Sequence, residues 1–349
     1  MTSLRAIARD LAFRHVGGTA VVLLYHRVAD LERDPQLLAV GRANFESQVR
    51  MLAGSYRMLS LTELLAALQR RTVPDRAVVV TFDDGYADNL TAAEPVLAAH
   101  GVPATVFVSS GHVGAEHGFW WDELERLVLC PGSLPRHIDL ETPGGSYSAR
   151  LTDCRTYSDS DAERNASWNV LAPDANARQE LYRRLAAFLR PLAPGDRESA
   201  LEQLRGLAQI DSGDTTDPRA THRPLTEQEV ARLDASTVVD VGAHTLRHAV
   251  LSSLTPDEQR AEIAADRDAL ATMCGRSIGT FSYPYGDLDT YTDETVGIVR
   301  ACGFAGACAN HLGLVKPWTD PYRLPRAIVR DADGAALAGM LERWFRDPK

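Results

Sequence analysis

Apolar, β-branched runs recur along the chain at 19–26, 77–82, 104–110, 237–244 and 280–285, with helical patterning between them. Runs apolar at successive positions, rather than alternating, suit strands buried on both faces, as in parallel sheets built from βα units. Two shorter runs, near 303–307 and 326–330, extend the series. The predicted fold is α/β, a distorted or incomplete (β/α) barrel. Helix starts agree with this spacing: Ser60 with Glu63 forms a capping box, and Thr255 with Pro256 offers an N-cap followed by proline at the first helical position.

Residues 112–225 break the rhythm. They hold "GFWWDELERLVL", a Gly, Ser and Asp-rich stretch over 131–177, two amphipathic helical patterns and a polar run after 210. The expected organisation is a first barrel part over 1–111, a partly helical, partly mobile insertion over 112–225, and a second barrel part over 226–349. Residues 1–15 read as a short amphipathic helix without the continuous apolar core of a signal peptide. That helix suits capping the core, and peripheral association with a membrane surface is the second use open to it.

The formal net charge is -10 and no basic cluster is evident, so nucleic acid is not an expected partner. Five cysteines with no Cys-x-x-Cys pair suggest neither a disulfide framework nor a cysteine zinc site. Reduced thiols make a cytoplasmic location the default expectation. The sequence leaves the oligomeric state undetermined.

The chemistry concentrates at the ends of the predicted strands, where parallel βα folds gather their sites. "TFDDG" sets Asp83 and Asp84 side by side after one strand, which serves a turn or a site equally well. "GAHTLRH" sets His244 and His248 four residues apart after another, a spacing that brings two imidazoles together on one helical turn. Two imidazoles and one carboxylate leave a position open for water on zinc or a similar ion. The remaining carboxylate would then accept a proton from that water.

Two further strand ends add candidates. "FSYPYGD" places Pro284 at a strand-to-loop transition, so the Tyr285 N–H is placed to meet an oxyanion, with Tyr283 and Tyr285 as a sugar-binding wall. A rigid apolar turn is the alternative reading. "LLYHRV" puts His26 at the end of the first strand, suited either to protonating a leaving group or to a structural role in the core. "FWWDELE" reads first as a helix docking through aromatic core residues and second as a platform for sugar rings. His112 and His117 lack a carboxylate motif and read as loop residues. The Gly-x-Ser-x-Gly elbow and the glycine-rich nucleotide loops are absent.

Together "TFDDG", "HTLRH", "FSYPYG" and "LLYHRV" resemble the motifs of the polysaccharide deacetylase family, the NodB-homology or carbohydrate esterase family 4 proteins. The resemblance covers residues 19–110 and 237 to about 330 and leaves out the insertion. It implies a NodB-type barrel, with Asp83 as base, with Asp84, His244 and His248 holding a divalent metal, zinc foremost, and with His26 as general acid. The Tyr285 amide would join the metal in facing the oxyanion. The implied partner is an N-acetylated glycan or glycan precursor, deacetylated by hydrolysis of its amide.

This sequence departs from the family pattern in three ways. The insertion lengthens the distance between the first two motifs. No arginine precedes the proline of "FSYPYG", so Arg326 or Arg27 would have to orient the base. The carboxyl-side Leu-x-His motif is missing unless His311 in "ANHLG" replaces it. Two other functions fit the residues: a metal-dependent hydrolase of a different non-peptide C–N bond, and an inactive carbohydrate-binding module.

Overall fold

The computed structural model describes residues 17–115, 117–210 and 221–346, so the helix expected over 1–15 lies outside the described residues. Seven strands carry the main sheet: β1 (Ala20–Tyr25), β2 (Ala77–Phe82), β3 (Ala104–Val108), β4 (Val239–Ala243), β5 (Thr280–Ser282), β6 (Gly306–Cys308) and β7 (Arg326–Ile328). They pair in parallel in the order β6-β5-β4-β3-β2-β1-β7, and the short segment Arg57–Met58 adds to β2. A single bridge between Cys308 and Leu324 brings the two ends of this path together. The result is a distorted (β/α) barrel, as the recurring apolar runs predict.

Strand alternation divides the apolar residues into two sets. Val21, Leu23, Val78, Val80, Val106 and Val241 belong to a cluster shared with the helix Arg42–Ser55 and the helix Pro256–Cys274. Val22, Val79, Phe107 and Cys308 face the other way and meet Leu64 and Leu65 of the helix Leu61–Arg70. Both predicted helix starts are present as capping boxes, Ser60 with Glu63 and Thr255 with Glu258.

Residues 119–204 contribute a second hydrophobic cluster, to which the barrel adds Tyr86. Its backbone comes from the helices Trp120–Leu129, Ala177–Leu189 and Pro194–Leu207. The Gly, Ser and Asp-rich stretch over 131–177 includes a hairpin, His137–Thr142 with Gly145–Arg150, whose alternation buries Ile138 and Leu140. Buried Arg178 spans this region, donating to the carbonyls of Val128, Gly132, Cys154 and Arg155. No disulfide joins any two of the cysteines, and no helix among the described residues is long and apolar enough to cross a membrane.

Candidate active site

Alternation along β2 explains the first acid. Val79, Thr81 and Asp83 share the inward face, so Asp83 stands at the top of the barrel interior. Simple alternation would turn Asp84 away, but its backbone enters the left-handed region at φ 76, which returns its carboxylate to the same site. Gly85 continues that turn at φ 85, and a Cβ there would lie 3.0 Å from Val108, so this position requires glycine.

Asp83 is held by the buried Arg326 of β7. The guanidinium reaches Asp83 Oδ1 at 2.7 Å and Oδ2 at 2.6 Å, a two-pronged ion pair. Arg326 also donates to Ser282 Oγ and to the Ala309 carbonyl. Burial raises the affinity of Asp83 for a proton, but Arg326, with His244 and His26, holds it below the usual carboxylate range. Arg326 therefore fills the place of the arginine missing from "FSYPYG". Arg27 pairs with Asp88 at 3.0 Å and covers the Tyr86 ring instead.

The "HTLRH" segment is not a helical turn, which corrects the sequence expectation. His244 follows the end of β4, and the loop beyond it passes through positive φ at Thr245 (64°) and His248 (50°). This loop rests on the helix Pro256–Cys274. Asp266 accepts the His244 N–H at 2.7 Å and the Ser110 N–H at 2.8 Å, while Glu262 accepts the Arg247 N–H at 2.9 Å. Burial pushes Asp266 up to about 6, against the pull of those donors. These two carboxylates were not singled out from the sequence. Their signal was present, because Glu262 and Asp266 share the buried helix face with Ile263 and Leu270.

The loop brings the ligating atoms together. His248 Nε2 lies 3.3 Å and His244 Nε2 lies 3.6 Å from Asp84 Oδ1, and one donor atom of each of the three residues falls within 4.8 Å of the others. His244 Nδ1 is 2.8 Å from the Ser282 carbonyl, so this nitrogen carries the proton and leaves the Nε2 lone pair for the site. That buried Nε2 has no hydrogen-bond partner among the described residues. An orphaned imidazole nitrogen, a second imidazole and a carboxylate fit a divalent cation. Burial opposes ionisation of Asp84, but the neighbouring His244 and His248 hold it far below the usual range. His248 is pushed down to about 4 by burial, which keeps it neutral.

A cleft of about 560 Å³ opens onto this cluster. His26 and Tyr285 line it, as do Trp120 and Trp121. Burial lowers the affinity of His26 for protons, and Asp84 and Asp83 only partly offset this. Tyr285 has φ 62, its carbonyl accepts from Asn310 Nδ2, and its N–H has no acceptor among the described residues. Its ring lies 4.7 Å from that of His248, and its hydroxyl accepts from Trp120 Nε1.

Other sequence candidates fall elsewhere. Tyr283 does not form part of the expected wall: it is buried, stacks on Tyr291 at 4.2 Å and donates to the Tyr322 carbonyl. Its place at the end of β5 turns it outward. The core reading of "FWW" is realised, since Trp120 and Trp121 are buried in the second cluster, and both also wall the cleft. Trp121 packs its ring 4.9 Å from His248 and donates to Tyr86, whose hydroxyl donates to Asp122. His112 packs on Phe119, and neither His112, His117 nor His311 lines the cleft.

A family model described as polysaccharide deacetylase matches residues 70–137 and 211–307. Over these segments the chain is similar to the polysaccharide deacetylase family. The matched segments contain Asp83, Asp84, His244, His248 and Tyr285, whereas His26 and Arg326 lie outside them. A Staphylococcus aureus poly-β-1,6-N-acetyl-D-glucosamine N-deacetylase is 30% identical over 124 residues, covering 32% of this chain and 43% of that protein. The chain thus spans less than half the length of the curated relatives it matches. Among solved structures, a Streptococcus pyogenes deacetylase in complex with acetate superposes with a TM-score of 0.57 at 16% identity, over 93% of this chain and 99% of that one. IcaB from Ammonifex degensii gives a TM-score of 0.55 at 18% identity, over 93% and 98%. At these identities the likeness establishes a shared fold.

Proposed function

We propose that this protein is a metal-dependent hydrolase that removes N-acetyl groups from an amino sugar in a glycan or glycan precursor, with zinc as its ion. The observation that carries this reading is the convergence of Asp84, His244 and His248 on one point, with Asp83 beside them and fixed by Arg326. In it, Asp84, His244 and His248 hold the cation. A bound divalent cation supplies an acidified water and polarises a carbonyl.

The remaining work belongs to the protein. Asp83 stays ionised through its pair with Arg326 and serves as proton acceptor for the attacking water. The Tyr285 N–H, without an acceptor among the described residues, serves the oxyanion that develops on the amide. His26 lines the same cleft and serves to pass a proton to the departing amine. Trp120, Trp121 and the Tyr285 ring offer apolar faces to a sugar. The name of the Staphylococcus aureus relative supports poly-N-acetylglucosamine as the first substrate to try.

The test is acetate release from N-acetylated oligosaccharides and glycan precursors by metal-stripped protein, with and without added zinc, cobalt or nickel. Metal-dependent release is the expected result. Metal binding with no release from any member of the panel would contradict the proposal and favour hydrolysis of another C–N bond or a binding role.

A further inference from the structure

Away from the metal-ligand cluster, the charged residues lining the cleft are three arginines, Arg183, Arg190 and Arg330, and one carboxylate, Asp287. In a protein of net charge -10, this is a local reversal of sign. Two of the arginines are already engaged. Arg183 donates to both oxygens of Asp174 and to the carbonyls of Val170 and Ala172. Arg190 pairs with Asp287 at 2.7 Å while its guanidinium lies 4.6 Å from the centre of the Tyr285 ring.

Arg330 is different. Its Nη1 donates to the Leu37 carbonyl, and among the described residues no carboxylate lies within ion-pair distance and no acceptor meets its Nε–H or Nη2. Burial lowers its affinity for the proton, with only a distant contribution from Asp34 opposing this. The Leu37 contact accounts for one structural duty, tying down the loop that carries Gln36 and Leu38 into the cleft wall. It leaves the Nε–H and Nη2 donors of this cleft-lining residue without an acceptor among the described residues.

Alternation along β7 and its extension sets where Arg330 stands. Arg326, Ile328 and Arg330 share one face: Arg326 grips Asp83, and Ile328 and Arg330 line the cleft above it. At roughly 3.3 Å per residue, the Arg330 backbone is about 13 Å along the strand from that of Arg326. A group bound there belongs to a neighbouring part of the substrate and not to the acetamide.

We infer that the cleft recognises an anionic substituent, a carboxylate or a phosphate, on the unit next to the reacting amino sugar, with Arg330 as its binding residue. A planar guanidinium with two parallel donors is matched to two oxygens of such a group. The inference deepens the deacetylase reading and rests on it for the identity of the reacting group.

The experiment uses the full chain loaded with zinc and three probes: a neutral tetramer of N-acetylglucosamine, a tetrasaccharide alternating N-acetylglucosamine with glucuronic acid, and uridine diphosphate N-acetylglucosamine. Binding is read from cleft tryptophan fluorescence and turnover from acetate release, for the wild type, Arg330→Gln and Arg330→Lys. Wild type is expected to bind at least one anionic probe roughly tenfold tighter than the neutral tetramer, the scale of one charge-assisted contact. Arg330→Gln should lose that advantage and keep its affinity for the neutral tetramer, with Arg330→Lys recovering part of it.

The preferred anionic probe distinguishes carboxylate from phosphate. Equal wild-type affinity for all three probes, or equal weakening of neutral and anionic binding in Arg330→Gln, would overturn the inference. Acetate release without any Arg330-dependent preference would overturn it too, while leaving the deacetylase reading intact. Arg330-dependent anion binding with no acetate release would support the site and count against deacetylation.

Discussion

Replacing Arg326 with methionine removes the guanidinium that grips Asp83 and leaves that carboxylate 4% exposed without its main counter-charge. Breaking a buried pair from one side costs about 3 to 5 kcal/mol, because the surviving charge has been taken out of water with nothing to offset it. The variant also strips a donor from the Ala309 carbonyl. The assay is urea unfolding at neutral pH of wild type, Arg326→Met, Asp83→Asn and the double variant. Because Asp83→Asn removes the charge that Arg326 serves, the double variant should be about 2 kcal/mol or more stabler than the sum of the single losses predicts. Additive losses, or a loss below about 1 kcal/mol for Arg326→Met, would refute the claim that the pair is a coupled buried unit.

Three further outcomes follow from the same geometry. Glu125, on the helix Trp120–Leu129, is pushed up to about 8 by burial, with Arg33 Nε at 3.6 Å only partly opposing this. Between the ordinary carboxylate value and 8 the folded protein keeps a proton that the unfolded chain releases, so stability falls as pH rises, at about 1.4 kcal/mol per pH unit. Glu125→Gln should flatten that slope in thermal unfolding measured from pH 5 to 9, and an unchanged slope would exclude Glu125 as its source. Asp266→Ala orphans the His244 and Ser110 N–H groups, and urea unfolding should show a loss of about 2 to 4 kcal/mol, with Asp266→Asn milder. Asp266→Ala should also weaken zinc binding measured by calorimetry, since the His244 backbone is then no longer held.

Much of this arrangement was legible in the sequence. The seven strands were visible because β-branched residues buried on both faces leave continuous apolar runs, and the two capping boxes marked helix starts at Ser60 and Thr255. The site acids and histidines were legible as motifs, but the way they meet was not. Left-handed backbone at Asp84, Thr245 and His248 brings the ligands together, and no propensity announces such conformations at non-glycine residues. The choice between Arg326 and Arg27 depended on which strand face each occupies across the barrel, a long-range fact. The hairpin at 137–150 was missed although "HIDLET" alternates, because the surrounding Gly, Ser and Asp residues masked a short period-2 signal.

The central claim separates metal holding, by Asp84, His244 and His248, from proton transfer, by Asp83. Calorimetric titration of zinc into metal-stripped wild type, Asp83→Asn and His248→Ala, paired with acetate release from an N-acetylglucosamine oligomer, tests that separation directly. One zinc per chain is expected in wild type and in Asp83→Asn, weak or no binding in His248→Ala, and acetate release from wild type alone. Release by Asp83→Asn, or zinc binding by His248→Ala as tight as by wild type, would contradict that separation.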